Sequence, residues 1–179
     1  MGSEMCIRDS LPPMAEGKEI WCQLFSEPSA GSDVAGLRSK AVQDGENWIV
    51  NGQKVWTSGA HFSDFGILVV RHDPSLEKHK GLTFFFVDMK SPGIEVKPIK
   101  QLTGGSSFNE VYFNDVVIPD SQRLGEIGDG WKVAITTLMN ERLAVGDADG
   151  VDANEAFELA KKHDKDGEQL IDNNAVRES

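Results

Sequence analysis

Three short stretches of this chain carry residue types that could do chemistry. The first, FSEPSAGSDVAG (Phe25 to Gly36), places three serines among one proline and two glycines. A loop of that length and composition can offer backbone N–H groups and hydroxyls, Ser26 and Ser32 among them, to a polar ligand. The same residues can equally hydrogen-bond their own backbone, and composition leaves the choice open. The second, WIVNGQKVWTS, ends on Trp56 and Ser58. Two residues apart on a strand, they project to one side and would present an indole and a hydroxyl together; the alternative is that Trp56 is an ordinary core aromatic. The third is the pair Glu141-Arg142 in a stretch of helical character. A carboxylate beside an apolar stripe loses hydration, which raises its pKa and suits it to abstract a proton. Its alternative is a helix-edge glutamate in a salt bridge.

Other patterns point away from chemistry. Gly125, Gly128 and Gly130 precede the helix, but their spacing fits neither a dinucleotide nor a Walker loop. DADGVDANE and DKDGEQ lack the glycine and glutamate placement of a calcium loop. His61, His72, His79 and His163 are scattered without metal spacing. Cys6 and Cys22 are too few for a disulfide framework and fit a reducing compartment, the cytoplasm or, in a eukaryote, the mitochondrial matrix. With 18 basic and 29 acidic side chains the net charge of -11 would repel nucleic-acid phosphates and anionic lipid. Apolar runs such as GILVV and LTFFFV are strand-sized and far short of a membrane span.

The elements that must position these residues follow from the same 179 residues, of which 39% are hydrophobic and 26% charged, an ordinary globular composition. Residues 1–20 lack periodicity, include Pro12-Pro13 and read as a disordered, partly non-native leader without a secretory signal. From Trp21 to about residue 120, strands recur every ten residues or so, which predicts an antiparallel β-sandwich or barrel. The expected strands are Cys22 to Phe25, Leu37 to Gln43, Trp48 to Val50, Gln53 to Ser58, Phe65 to Arg71, Leu82 to Asp88, Ile94 to Pro98 and Phe108 to Phe113. Asn51-Gly52 predicts a type I′ turn closing a hairpin, with Trp48 opposite Val55 on one face and Trp56 with Ser58 on the other. After residue 120 a helix is expected from about Gly130 to Val145, burying Trp131, Ala134, Ile135, Leu138 and Val145. A second helix is expected around Ala153 to His163, and the fold class is therefore mixed, β followed by the beginning of an α-helical bundle.

The loop SEPSAGSDVAG, the stretch WIVNGQKVWTSGAHFSDF, the segment GLTFFFVDMKSPGIEVKPI, the strand NEVYFNDVVIP and the helix start GDGWKVAITTLMNER occur in that order. Together they resemble the acyl-CoA dehydrogenase family over about Ile20 to Gly146. The resemblance implies an FAD-dependent enzyme that removes two hydrogens from an acyl-CoA thioester and passes electrons to an electron-transferring flavoprotein, as a dimer or tetramer when full length. It implies that residues 21–120 are the family's middle β domain and 121–179 an incomplete start of its C-terminal helical domain, without turnover alone. Residue by residue, it places Phe25 and Ser26 at the strand end that meets the flavin pyrimidine ring. Trp56 matches the indole packed against the isoalloxazine, and Ser58 the hydroxyl near N5. Ser32 matches a residue close to acyl-CoA and the nucleotide phosphates, and Arg142 an arginine near the thioester. Glu141 matches the catalytic base of a subgroup exemplified by isovaleryl-CoA dehydrogenase; most members carry the base further on. The rival expectation is a non-catalytic β-sandwich binding module.

Overall fold

The computed structural model describes residues 10–146, together with 158, 161, 164–165 and 168–169. Its main feature is a seven-stranded sheet made of β1 (Trp21–Leu24), β2 (Lys40–Asp44), β3 (Asn47–Ser58), β4 (Phe65–Arg71), β5 (Leu82–Asp88), β6 (Ile94–Pro98) and β7 (Phe108–Pro119), followed by α1 (Gly130–Gly146). The bounds of β4, β5 and β6 are those expected from the sequence, because each run is apolar or alternating and ends on turn residues. The strand order is β1-β4-β2-β3-β7-β6, with β5 also paired to β4. Most pairs are antiparallel, but β1 joins β4 in parallel over Trp21–Leu24, so the sheet is not wholly antiparallel.

One curled sheet, a half-barrel, stands where two stacked sheets were an alternative. Strands β2 and β3 lie between β4 and β7 in the order, yet Leu68 and Val70 of β4 share a buried cluster with Val111 and Phe113 of β7. Only a sheet folded over its own inner face brings those side chains together. Around them Trp48, Val50, Phe85, Val116 and Ile118 complete the core. The opposite face of β4 and β5 is buried too: Val69 and Phe84 pack with Phe25, Ala35, Leu37 and Ala134. Burial on both faces explains why these two strands read as continuous apolar runs rather than alternating ones.

The first turns of α1 cover that second face through Trp131, Val133, Ala134 and Leu138. Ile135, expected in the buried stripe, is exposed instead, and Val133 takes its place. The helix start comes so close to β5 that a Cβ on Gly130 would lie 2.6 Å from the backbone of Leu82 and Thr83. Glycine here permits a close approach of backbone to backbone, and no phosphate need be invoked.

The largest departure from the sequence reading is at Asn51-Gly52. These residues lie inside β3, which runs unbroken for 12 residues. The hairpin turn sits earlier, at Gly45-Glu46, where Asp44 pairs with Asn47 and Gly45 takes φ 59°. The sequence holds both Asp44-Gly45 and Asn51-Gly52, and the choice between two such signals falls to long-range pairing. With the turn at residues 45–46, β3 is long enough to meet β2 on one side and β7 on the other. Gly52 is needed for a different reason: a Cβ there would lie 2.2 Å from Ser39 Oγ. Asn51 bridges to the bulged neighbour strand, accepting from Asp115 N–H at 3.0 Å and donating to its carboxylate at 2.9 Å.

Two further expectations change. Residues 10–15 are helical where a disordered leader was predicted, with Pro12 and Pro13 in the first turn, where a missing N–H costs little. The second helix falls largely outside the described residues; 158 and 161 are helical, and Asp164–Lys165 pairs with Glu168–Gln169. The chain forms two compact units, Met1–Leu138 and Met139–Ser179.

Candidate functional site

Beyond Leu24 the chain leaves its ladder with β4, whose register stops at Leu24 opposite Leu68. The next three residues are held by β3 instead. Val55 N–H donates to the Ser26 carbonyl at 2.9 Å, and the Lys54 ammonium donates to the Phe25 carbonyl at 3.1 Å. The same ammonium meets the Glu27 carboxylate at 2.8 Å. Glu27 in turn accepts from Arg38 N–H at 2.6 Å and from Ser39 N–H at 3.0 Å, which closes the loop back onto itself. Phe25 is buried against Phe84, edge to face at 5.5 Å. Ser26 is half-buried.

On β3 the alternation breaks just past this tether. The β3–β7 register shifts between Lys54 and Thr57, and Trp56 sits at φ 60°, a left-handed conformation that is unusual for a bulky residue. The result is that Trp56 is 60% exposed while its neighbours Val55 and Thr57 are buried. Ser58 is exposed as well, so indole and hydroxyl share the outward side as the spacing predicted. Phe108 meets Trp56 edge-on at 6.1 Å. Thr57 faces inward, and its buried hydroxyl has no hydrogen-bond partner among the described residues.

Next to Ser58 lies a cavity of about 420 Å³ lined by Ser58, Gly59, His61, Phe62, Ser106 and Ser107. His61 Nδ1 lies 3.1 Å from Asn109 Oδ1, and Asn109 donates through its amide to the Thr57 carbonyl at 2.9 Å. Because that amide nitrogen is the donor, Oδ1 accepts and His61 carries its proton on Nδ1. A hydrogen-bonded chain thus ties the cavity wall to the strand that bears Trp56.

The structure therefore ties Phe25 and Ser26 to Lys54 and Val55, on the strand that continues into Trp56 and Ser58, while the cavity beside Ser58 is lined by none of Phe25, Ser26 and Trp56. Ser32 is exposed further along the loop, beyond the Glu27–Ala30 bridge, and adjacent Asp33 is ion-paired with Lys78, the bracing role its charge suggests. Glu141 and Arg142, in the other compact unit, are both exposed on α1. The dehydration that would favour Glu141 as a base is not supplied by the described residues around it.

Lys54 and Glu27 were not picked out from the sequence. Alternation within an Asn-Gly hairpin would place Lys54 across from Ile49, as one more solvated lysine. In the fold it is fully buried. Burial pulls its ammonium down to about 8, with Glu27 opposing the shift. For Glu27, burial alone would raise the carboxyl, but the charge and hydrogen bond of Lys54 and the N–H groups of Arg38 and Ser39 outweigh it and hold it low. Lys54 follows Asn51, Gly52 and Gln53 in a strand of mixed polarity, and nothing local identifies a partner 27 positions away.

The donor set suits a flavin. Neither the Ser26 nor the Ser58 hydroxyl has a partner among the described residues, and an exposed indole lies between them in sequence. An isoalloxazine offers a flat apolar face for the indole and polar edge atoms for the hydroxyls. Among the described residues no group of three or more His, Cys, Asp or Glu could hold a metal ion. Burial pushes the Cys22 thiol up to about 11, so it is no ready nucleophile. No described helix is long and apolar enough to cross a membrane.

Comparison with known proteins identifies the family. Residues 22–116 match the model of the acyl-CoA dehydrogenase middle domain. Acyl-CoA dehydrogenase FadE34 of Mycobacterium tuberculosis is 50% identical over 144 residues, which cover 80% of this chain and 20% of that protein. Subunit CarC of the caffeyl-CoA reductase-Etf complex of Acetobacterium woodii is 31% identical over 98% of this chain and 48% of its own length. An acyl-CoA dehydrogenase structure from Geobacillus kaustophilus superposes with a TM-score of 0.82 at 28% identity, over 97% of this chain and 48% of that one. The chain thus spans between a fifth and a half of the length of these relatives.

Proposed function

The chain belongs to the acyl-CoA dehydrogenase family, and from that premise we propose that it forms the flavin-facing part of an enzyme that oxidises acyl-CoA thioesters between the α and β carbons. In this reading residues 21–120 are the middle β domain and the following segment opens the helical domain. The observation that carries it is the hydrogen bond from Val55 N–H to the Ser26 carbonyl at 2.9 Å. It joins two stretches distant in sequence into one rim that carries two available hydroxyls and an exposed indole.

FAD, when bound, supplies the two-electron acceptor for the reaction. The chain's own residues would hold and tune it. Ser26 donates its hydroxyl to the pyrimidine edge of the ring, where negative charge gathers on reduction, and Phe25 backs that edge. Ser58 would donate near the reacting edge, and the exposed Trp56 indole would supply an apolar surface for the ring. A fixed donor aimed at developing charge lowers the barrier because it needs no reorganisation during the reaction. Ser32 belongs with the acyl-CoA, and Arg142 would stand near the thioester. Glu141 is this chain's candidate to take the α-proton. The relative named as part of an Etf complex supports an electron-transferring flavoprotein as partner, and association with further copies of the protein follows the family pattern. A reducing compartment, cytoplasm or mitochondrial matrix, suits the buried free thiol of Cys22.

The test uses a protein of the relatives' full length that carries this sequence. Purified protein should be yellow, with flavin absorbance that an acyl-CoA thioester bleaches under anaerobic conditions, and Ser26→Ala with Ser58→Ala together should weaken FAD binding. A folded, colourless protein that takes up no added FAD would refute the reading.

A further inference from the structure

Lys54 and Glu27 form an ion pair at the inner end of the proposed flavin rim, with side chains 0% and 5% exposed. Replacing a buried ion pair by well-packed apolar groups is often neutral or stabilising, so stability alone gives no reason to keep charge here. Its geometry does give one. Phe25, Ser26 and Glu27 have no ladder partner on β4. What holds them is a substitute ladder from β3: Lys54 Nζ to the Phe25 carbonyl at 3.1 Å, Val55 N–H to the Ser26 carbonyl at 2.9 Å and Lys54 Nζ to Glu27 at 2.8 Å. A lysine side chain supplies two of those three bonds from the position just before the bulge that turns Trp56 outward.

We propose that Lys54 and Glu27 are positioning residues for the cofactor: their bonds to the Phe25 carbonyl and to the Arg38 and Ser39 N–H groups set where the Ser26 hydroxyl stands relative to Trp56 and Ser58. Neither side chain touches the ligand. The pair acts through the backbone of residues 25–27 on one side and 55–56 on the other, so one contact registers both halves of the rim. The inference rests on the flavin reading given above.

The experiment uses the full-length protein carrying this sequence and compares two variants. Lys54→Met with Glu27→Gln removes both charges and the tie to Phe25, yet leaves a glutamine oxygen to accept from Arg38 and Ser39. Ser26→Ala with Ser58→Ala removes the hydroxyls directly. For each, thermal unfolding of the apoprotein, the FAD dissociation constant and the shape and midpoint potential of the bound flavin's absorption are measured. The Lys54/Glu27 variant should unfold near the parent temperature, yet bind FAD ~10-fold or more weakly and shift the flavin band and potential in the direction of the Ser26/Ser58 variant. Parent-like affinity, band and potential in a folded Lys54/Glu27 variant would overturn the positioning role while the serine variant still loses affinity. Parent-like behaviour of the serine variant would overturn the flavin reading itself. Should the double variant not fold, Glu27→Asp keeps the buried charge paired while drawing the carboxylate back from the Arg38 and Ser39 N–H groups, and a parent-like flavin affinity and potential in it would equally overturn the inference.

Discussion

Strands β4 and β3 are neighbours of the same hairpin strand β2, yet they are built for opposite ends. In β4 the register to β5 is unbroken from Phe65 to Arg71, and consecutive residues Leu68, Val69 and Val70 are all fully buried, alternately on two cores. Strand β3 is irregular twice along its pairing with β7. It buries a lysine and, two residues on, exposes a tryptophan that itself sits in the left-handed conformation. Regular pairing with burial on both faces leaves no polar group available, so such a strand can only pack. Each irregularity, by contrast, re-aims one side chain, and bulges of this kind recur beside functional sites.

The contrast can be broken most forcefully on the regular side. Phe85 is fully buried in the main core, and Phe85→Ala should cost about 3–5 kcal/mol of stability by lost transfer energy and a residual cavity. Urea unfolding would show the drop, while FAD affinity of the folded fraction should stay as in the parent. A smaller effect is expected from pH, and it sharpens the role of the charged tether. Glu27 is held below its ordinary 4.5, and Asp120 below its ordinary 3.8 by Arg123 and the Trp48 indole N–H. Both folded pKa values lie below the unfolded ones, so their contribution is present above those ordinary values and is lost as pH falls through the folded ones. Lys54 has the opposite consequence. Between about 8 and its ordinary 10.5 the unfolded chain keeps a proton that the folded chain has released, so this group's contribution rises with pH across that window. Denaturation midpoints recorded from pH 3 to 10 should fall on the acid limb, and Glu27→Gln should flatten part of that fall. The smallest effect on stability belongs to Trp56→Gly. Relief of the left-handed strain offsets the added freedom of the unfolded chain, so stability should stay within about 1 kcal/mol of the parent. The same change should clearly reduce quenching of flavin fluorescence, and unaltered quenching would remove Trp56 from the site.

Much of the fold was legible because burial writes itself into runs of residues. GILVV, LTFFFV and IEVKP were each expected as strands from their length and the turn residues that bound them, although burial of the first two on both faces emerged only in the fold. The helix was legible from its freedom from breakers, although its buried stripe was set by the curvature of the sheet beneath it, which moved Ile135 outward and Val133 inward. The site was half legible. Trp56 and Ser58 were expected on one side from their spacing, and both are exposed although the β3–β7 register shifts between Lys54 and Thr57. Ser26 was singled out through its loop and the family motif, and the fold tethers its backbone to Val55. Lys54 and Glu27 were not found, since a residue's burial depends on what folds over it.

The amino-acid sequence by itself determined which segments become strands, where α1 begins and which hydroxyls and rings are available, because these follow from local apolar patterning and side-chain chemistry. Tertiary structure alone decided that the hairpin turns at Gly45-Glu46 rather than at Asn51-Gly52, that a lysine is sealed inside the sheet, and that residues 25–27 lie against residues 54–55. A turn preference acts through two or three residues, whereas a strand paired on both sides gains many cross-strand bonds and contacts at once. Where two local signals compete, that cooperative sum selects between them.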